Sequence, residues 1–267
     1  MIEKLCLTFV LLGGGLTTGQ ATSLLIYSGN ATDANHVKTL IDSVGALPAD
    51  VELFDAGFGT PRLDTLQTYE SVLIWLDDPY FDAVAIGDNL ADYVDGGGGV
   101  VVASFANVTG ELGGRFLSGG YHPITPAAPS TPVSGATMTV NDPNHPIMLA
   151  VTAFAGGNAS FRISGTAAAG TTKIADWDNG QPLVVERPQG GGGAGGIVIG
   201  LNMFPVSSAE NIGGWDAATD GAQLMANSLK FAGQVPEPSS AVFVAMGMVL
   251  VGRRRRALRK GRGDKVS

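Results

Sequence analysis

Cysteine is nearly absent. Cys6 is the single one in 267 residues, and it lies in an apolar stretch near the N-terminal end. If that stretch is removed as a secretory signal, no thiol remains in the chain, which excludes disulfides, thiolate catalysis and cysteine-based zinc sites. Charge is also sparse, at 15% of residues, and aromatics reach only 7%. Within the body the shortage is of positive charge: between Ala21 and Gln234 there are 7 basic residues against 21 acidic ones, a net of −14. A surface of that sign repels a phosphate backbone, so nucleic acid is excluded as its partner. What the chain has in quantity is apolar residues, 45%, and 39 glycines without the three-residue period of collagen. Low charge with ordinary apolar content describes a folded core, not a disordered chain.

The two ends read differently from the body. Lys4 precedes the apolar run Leu5 to Leu16, which has the length of a secretory signal, and Gly19-Gln20-Ala21 is a small-x-small cleavage site. Residues 1–21 are therefore expected to be a signal peptide. At the other end, Val235-Pro236-Glu237-Pro238-Ser239-Ser240 is followed by the apolar run Ala241 to Gly252, and then by Arg253, Arg254, Arg255 and Arg256. Prolines stop a preceding helix and leave an extended linker. The apolar run has no polar face, so it is expected to be a short transmembrane helix, completed by its flanks and by snorkelling arginines. Residues 235–256 form this linker, apolar segment and arginine cluster, and 257–267 a basic cytoplasmic tail.

This three-part end resembles the PEP-CTERM sorting signal, on Pro236, Glu237, Pro238, the apolar run and Arg253 to Arg256. The resemblance implies a Gram-negative bacterium. It also implies partners in the export machinery and an exosortase-like processing enzyme, with exopolysaccharide as a further partner. The expected route is an inner-membrane intermediate, followed by the envelope, outer surface or extracellular matrix.

Residues 22–234 alternate strand and helix patterns. Ser23 to Tyr27 is an apolar run without alternation, as in a strand buried on both faces, and Asp50 to Phe54, Ser71 to Leu76 and Val100 to Ser104 read as further strands. Between them lie a helix capped by Asp33 and ended by Gly45, a short helix begun by Thr60-Pro61, and a helix from about Asp82 to Asp95. Strands joined by helical crossovers predict a parallel sheet, with strand ends at Ser28, Asp55, Asp77 and Ser104 on one ligand-binding rim. From Asn107 to Ser160 the chain is irregular and rich in proline and glycine, which predicts an insertion. Thr171 to Trp177 and Pro182 to Glu186 flank the hairpin turn Asp178-Asn179-Gly180, and Gly190 to Gly196 is a second turn. Gly196 to Asn202 returns to the core, and a closing helix runs from Asp220 to Phe231. The expected architecture is three-layer α/β, flavodoxin-like or amidotransferase-like, with a mostly parallel sheet and an irregular β-rich insertion.

The body resembles a class I glutamine-amidotransferase-like domain of the trehalose-utilisation-like branch, and the similar domain of bacterial β-galactosidases. The text carrying this is Ser71 to Trp75, Leu90 to Val102, His145-Pro146-Ile147-Met148, Ile199 to Pro205 and Thr219-Asp220-Gly221. An amidotransferase places a cysteine on the elbow after a central strand, backed by His and Glu. Here the corresponding strand ends in Ala103-Ser104-Phe105-Ala106. Ser104 is a candidate nucleophile, but it lacks the G-x-S-x-G elbow. His122 and His145 are its candidate bases, and Asp77 a further catalytic candidate. Asn30, Asp78, Asn107 and Asn202 are candidate ligand contacts on the rim. The glycines from Gly96 to Gly99 precede their strand, so they end a helix rather than cradle phosphate. No cofactor and no metal site is expected.

The expectation for function is thus an exported, non-catalytic amidotransferase-like domain that binds carbohydrate or another envelope component. The alternatives are a hydrolase or isomerase acting on a sugar or related metabolite, and an oligomerisation module forming a homo-oligomer.

Overall fold

The computed structural model describes residues 23–188 and 195–234. The expected signal peptide, the sorting segment from Pro236 to Arg256, the basic tail and most of the second glycine turn lie outside the described residues. The expected transmembrane helix is corrected: among the described residues no helix is long and apolar enough to cross a membrane.

The order along the chain is β1 (Ser23–Ser28), α1 (Ala31–Val44), β2 (Glu52–Asp55), α2 (Leu63–Leu66), β3 (Ser71–Leu76), α3 (Ala83–Asp95), β4 (Gly99–Ala103), α4 (Gly114–Ser118), β5 (Met138–Val140), a 3-10 turn (Pro146–Met148), β6 (Thr172–Trp177), β7 (Pro182–Pro188), β8 (Ile197–Leu201) and α5 (Gly221–Gly233). One eight-stranded sheet runs β2-β1-β3-β4-β8-β7-β6-β5. The pairs from β2 through β8 are parallel, and those among β8, β7, β6 and β5 are antiparallel.

Alternation along the strands sorts side chains into two layers. Leu25, Tyr27, Leu73, Trp75, Val101 and Ile199 pack with α1 and α5 on one face. Leu24, Ile26, Val72, Ile74, Val100 and Val198 pack with α2, α3 and α4 on the other. Each fully buried Leu, Ile or Val contributes about 1.5–3 kcal/mol, and both faces are covered, which is why these strands read as continuous apolar runs.

Several local expectations shift. The cap of α1 is Asn30, whose Oδ1 accepts from the Thr32 N–H at 2.8 Å, not Asp33, which sits in the first turn. Pro61 lies before α2, whose cap position is Arg62, so the proline precedes the helix instead of opening it. Asp82 does cap α3, accepting from the Val84 and Ala85 N–H groups. In the glycine tract, Gly97 has φ +101, while a Cβ on Gly99 would collide with the Ala232 carbonyl. The tract therefore lets the chain leave α3 and enter β4 directly beneath α5.

The insertion between β4 and β8 carries isolated bridges, Val108 to Ala127, Ile124 to Ala167, Pro129 to Ile163 and Thr137 to Ala155. It ends in the β6–β7 hairpin, where Gly180 adopts φ +83 and its N–H donates to Trp177 O at 2.8 Å. The hairpin and β5 extend the sheet beyond β8.

Candidate functional site

The parallel strands all end on one rim, and its two halves differ. Above β4 and β8 it is closed. Ser104 follows β4 and is 0% exposed. Its backbone N–H donates to Met203 O at 3.0 Å, and its hydroxyl donates to Asn202 Oδ1 at 3.3 Å. Asn202 follows β8 and is also 0% exposed. Its Oδ1 accepts from the Ile163 N–H at 2.8 Å, and its Nδ2 donates to Ile163 O at 3.1 Å and Pro182 O at 3.0 Å. Asn202 thus uses its amide to pin the insertion and the hairpin to the core. Phe105, Phe161 and Phe204 pack ring on ring beside it, with centroids 5.8 to 6.1 Å apart.

The histidines do not meet Ser104. His122 is 4% exposed, with its ring edge-on to Phe116 at 5.1 Å. Burial pushes it down to about 4, so it is neutral near pH 7. His145 Nε2 lies 3.2 Å from Glu186 Oε2, and its Nδ1 accepts from the Ile147 N–H. That assigns the ring proton to Nε2, as the donor to Glu186. The ring also packs on Phe231 at 4.7 Å, and the adjoining Ala232 covers Gly99 at the start of β4. His145 therefore sits toward the opposite end of β4 from Ser104. His36 Nε2 is 2.8 Å from the buried Ser207 Oγ. Asn107 is buried, and its side-chain amide has no hydrogen-bond partner among the described residues.

Above β2, β1 and β3 the rim is open. Here the chain passes from β1 through α1 to β2 on one side, then returns to β3 on the other, so the strand order reverses. Such a switch point leaves a crevice at the strand ends. The Ser28 hydroxyl donates to Pro79 O at 2.9 Å, and Ser28 O accepts from the Asp77 and Asp78 N–H groups. Gly29 takes φ +132, and a Cβ there would press on the Asp77 Cβ at 3.0 Å, so glycine permits this approach. Asp77 and Asp78 are exposed. Partial burial and then Asp78 raise the Asp77 carboxyl above the ordinary range. Asp33 is raised by burial, then by Asp77 and Glu210, with His36 opposing. Tyr27 is raised by burial and then by Asp55. Asn30 faces solvent but spends its Oδ1 on the cap of α1. Among the described residues no group of three His, Cys, Asp or Glu is arranged to hold a metal ion.

Two residues on this half have no sequence motif. Phe58 is 87% exposed and Phe81 is 69% exposed. Their loops follow β2 and β3 and are tied by the Phe81 N–H donating to Ala56 O at 2.8 Å. The available signal was local: Ala56-Gly57-Phe58-Gly59 sets an aromatic between glycines, where no strand or helix can bury it.

A cleft of about 420 Å³ opens at the opposite end of the strands, where β1 and β3 begin, lined by Ser23, Leu47, Glu70, Ser71, Leu229 and Lys230 among others. It joins none of the rim candidates.

No protein-family model matches the chain, and no curated protein matches it. Solved structures do. A thuA-like protein from Bacteroides uniformis aligns with TM-score 0.58 and 16% identity, over 80% of this chain and 91% of that one. One from Parabacteroides merdae aligns with TM-score 0.54 and 16% identity, over 80% and 90%. A cytoplasmic protein from Salmonella typhimurium aligns with TM-score 0.55 and 13% identity, over 79% and 98%. The fold is therefore thuA-like: a mixed, mostly parallel α/β sheet between helices. At these identities the likeness speaks for fold alone. The body of this chain lacks the cysteine that an amidotransferase uses.

Proposed function

We propose that this chain is an exported envelope protein whose amidotransferase-like body binds carbohydrate and does not transform it. One observation carries this: the residue after β4, where the fold would present a nucleophile, is a fully buried serine whose hydroxyl is bonded to Asn202. A nucleophile needs a base within hydrogen-bond reach and access to substrate, and Ser104 has neither. The hydrolase reading loses its chemistry for the same reason. The open half of the rim supports binding, because its loops after β2 and β3 carry the exposed carboxylates Asp77 and Asp78 and the exposed rings of Phe58 and Phe81. Export rests on the N-terminal apolar run and on the motif Pro236-Glu237-Pro238 with Arg253 to Arg256, as a sorting signal read by an exosortase-like enzyme.

A glycan array probed with the purified full-length chain tests the binding reading. Retention of at least one glycan class supports it, and silence across the array refutes it. Deleting 235–267 tests the sorting reading. Loss of surface display is the expected result, and unchanged display would refute it.

A further inference from the structure

We propose that the open rim above β2, β1 and β3 binds a cationic amino-sugar glycan, with Phe58 and Phe81 against the sugar faces and Asp77 and Asp78 holding its ammonium groups. The proposal rests on the carbohydrate-binding reading and specifies its ligand.

Large apolar side chains scattered singly over a surface need no explanation, but grouped ones mark contact sites. Phe58, at 87% exposed, and Phe81, at 69%, are the two most exposed aromatic side chains among the described residues, and their loops are bonded to each other. Val84, the second residue of α3 and three positions after Phe81, is 58% exposed. An aromatic face offers two things: a flat apolar surface, and a negative quadrupole that attracts a cation.

The charges beside the patch are of one sign. Asp55 ends β2, Asp77 and Asp78 follow β3, and Asp82 caps α3 just after Phe81. The nearest cation on these loops is Arg62, which faces Asp64 at 3.4 Å. Partial burial first, and then the neighbouring Asp78, raise the Asp77 carboxyl. A ligand carrying a positive charge is attracted to these acids; an anionic polymer meets the same repulsion that excludes nucleic acid. Amino sugars combine what the two halves of the site require, since each ring has an apolar C–H face and a protonated amine.

The test uses the full-length chain and three oligosaccharides of equal length: glucosamine, N-acetylglucosamine and a uronic acid. Binding is measured at mildly acidic pH, where the glucosamine amines are protonated. The glucosamine oligomer should bind about tenfold more tightly than the acetylated one, the uronic acid should not bind, and rising salt should weaken the cationic ligand alone. Asp77→Asn with Asp78→Asn should abolish the preference for the amine. Phe58→Ala with Phe81→Ala should weaken both neutral and cationic ligands. All four side chains are exposed, and unchanged thermal unfolding of the variants confirms that the fold is intact. Equal affinity for the two glucosamine forms, or a preference that survives the Asp substitutions, overturns the cationic ligand while leaving carbohydrate binding standing. Failure of every oligosaccharide, together with silence on the array, removes both readings. Binding of a lysine-rich peptide with no glucosamine binding overturns this proposal in favour of a protein partner.

Discussion

The Ser104 hydroxyl donates to Asn202 Oδ1, and neither residue is exposed. The two lie at the ends of adjacent strands, β4 and β8, in the part of the fold where chemistry would be sought. The partnership is unequal. Ser104 contributes one bond at 3.3 Å, whereas the Asn202 amide also holds the backbone of Ile163 and of Pro182. Asn202→Ala would leave the Ile163 N–H and two carbonyls unpaired inside the protein, at a cost of about 3 kcal/mol or more. Ser104→Ala should cost about 1 kcal/mol or less. Urea titrations of the two variants check the ordering. A fluorophosphonate probe should leave native Ser104 unlabelled, since its hydroxyl is covered.

Glycines in this chain answer different needs, and substitution separates them. Gly99 opens β4 where a Cβ would collide with the backbone of Ala232 in α5. Gly99→Ala should cost about 1–3 kcal/mol through forced displacement of the helix. Gly45 ends α1 at φ +64, ψ +21, with nothing within 4 Å of a Cβ. Asparagine tolerates that conformation, so Gly45→Asn should shift the unfolding midpoint little. Equal losses in the two variants would contradict the packing account of Gly99.

Much of the sheet was legible because its inner strands are buried on both faces. Leu24-Leu25-Ile26, Val72-Leu73-Ile74 and Val100-Val101-Val102 announce themselves without alternation. The Asp178-Asn179-Gly180 turn was legible from local backbone chemistry. What was not legible is set by distance along the chain. β5 has only three residues at the sheet edge, within a proline-rich stretch, so it lacks the length to show a period. That β8 lies beside β4 depends on how the whole insertion folds. Asn202 read as a ligand contact because its three backbone bonds go to residues 39 and 20 positions away. His122 and His145 had the right chemistry for bases, but Phe116 and Glu186 claim them. The open rim was anticipated through Asp55, Asp77 and Asp78, while its aromatic half was not, since an exposed phenylalanine carries no motif.

The start of α1 offers a direct check on capping. Asn30 caps the helix, whereas the buried Asp33 sits near Asp77 and Glu210. Asn30→Ala should cost about 1 kcal/mol. Burial and then the neighbouring carboxylates raise the Asp33 carboxyl, so its ionised form works against the fold. Asp33→Asn should therefore be at least as stable as the native chain at neutral pH. If Asp33 were the cap, the order of the two variants would reverse. Thermal melts at neutral pH and at low ionic strength decide it.

His122 should make the fold acid-sensitive. Burial, its leading cause, lowers the imidazole from 6.5 to about 4. The unfolded chain then takes up a proton at a higher pH than the folded one. Stability from the buried neutral ring is fully present above pH 6.5 and is lost as pH falls from there toward about 4. The loss should approach about 3 kcal/mol. Asp95 and Asp220 also lose stabilisation in acid, because their carboxyls are held below the ordinary value. For Asp95 the leading cause is the Tyr121 hydrogen bond. For Asp220, burial opposes the lowering, and bonds from Ala153 and Thr152 outweigh it. Those contributions remain in His122→Phe, which keeps an aromatic ring against Phe116 and removes only the imidazole. Between pH 6.5 and 4 the unfolding midpoint in urea should fall more steeply for the native chain than for this variant. Parallel curves would mean that the His122 ring reaches water in the folded protein and protonates there as freely as in the unfolded chain.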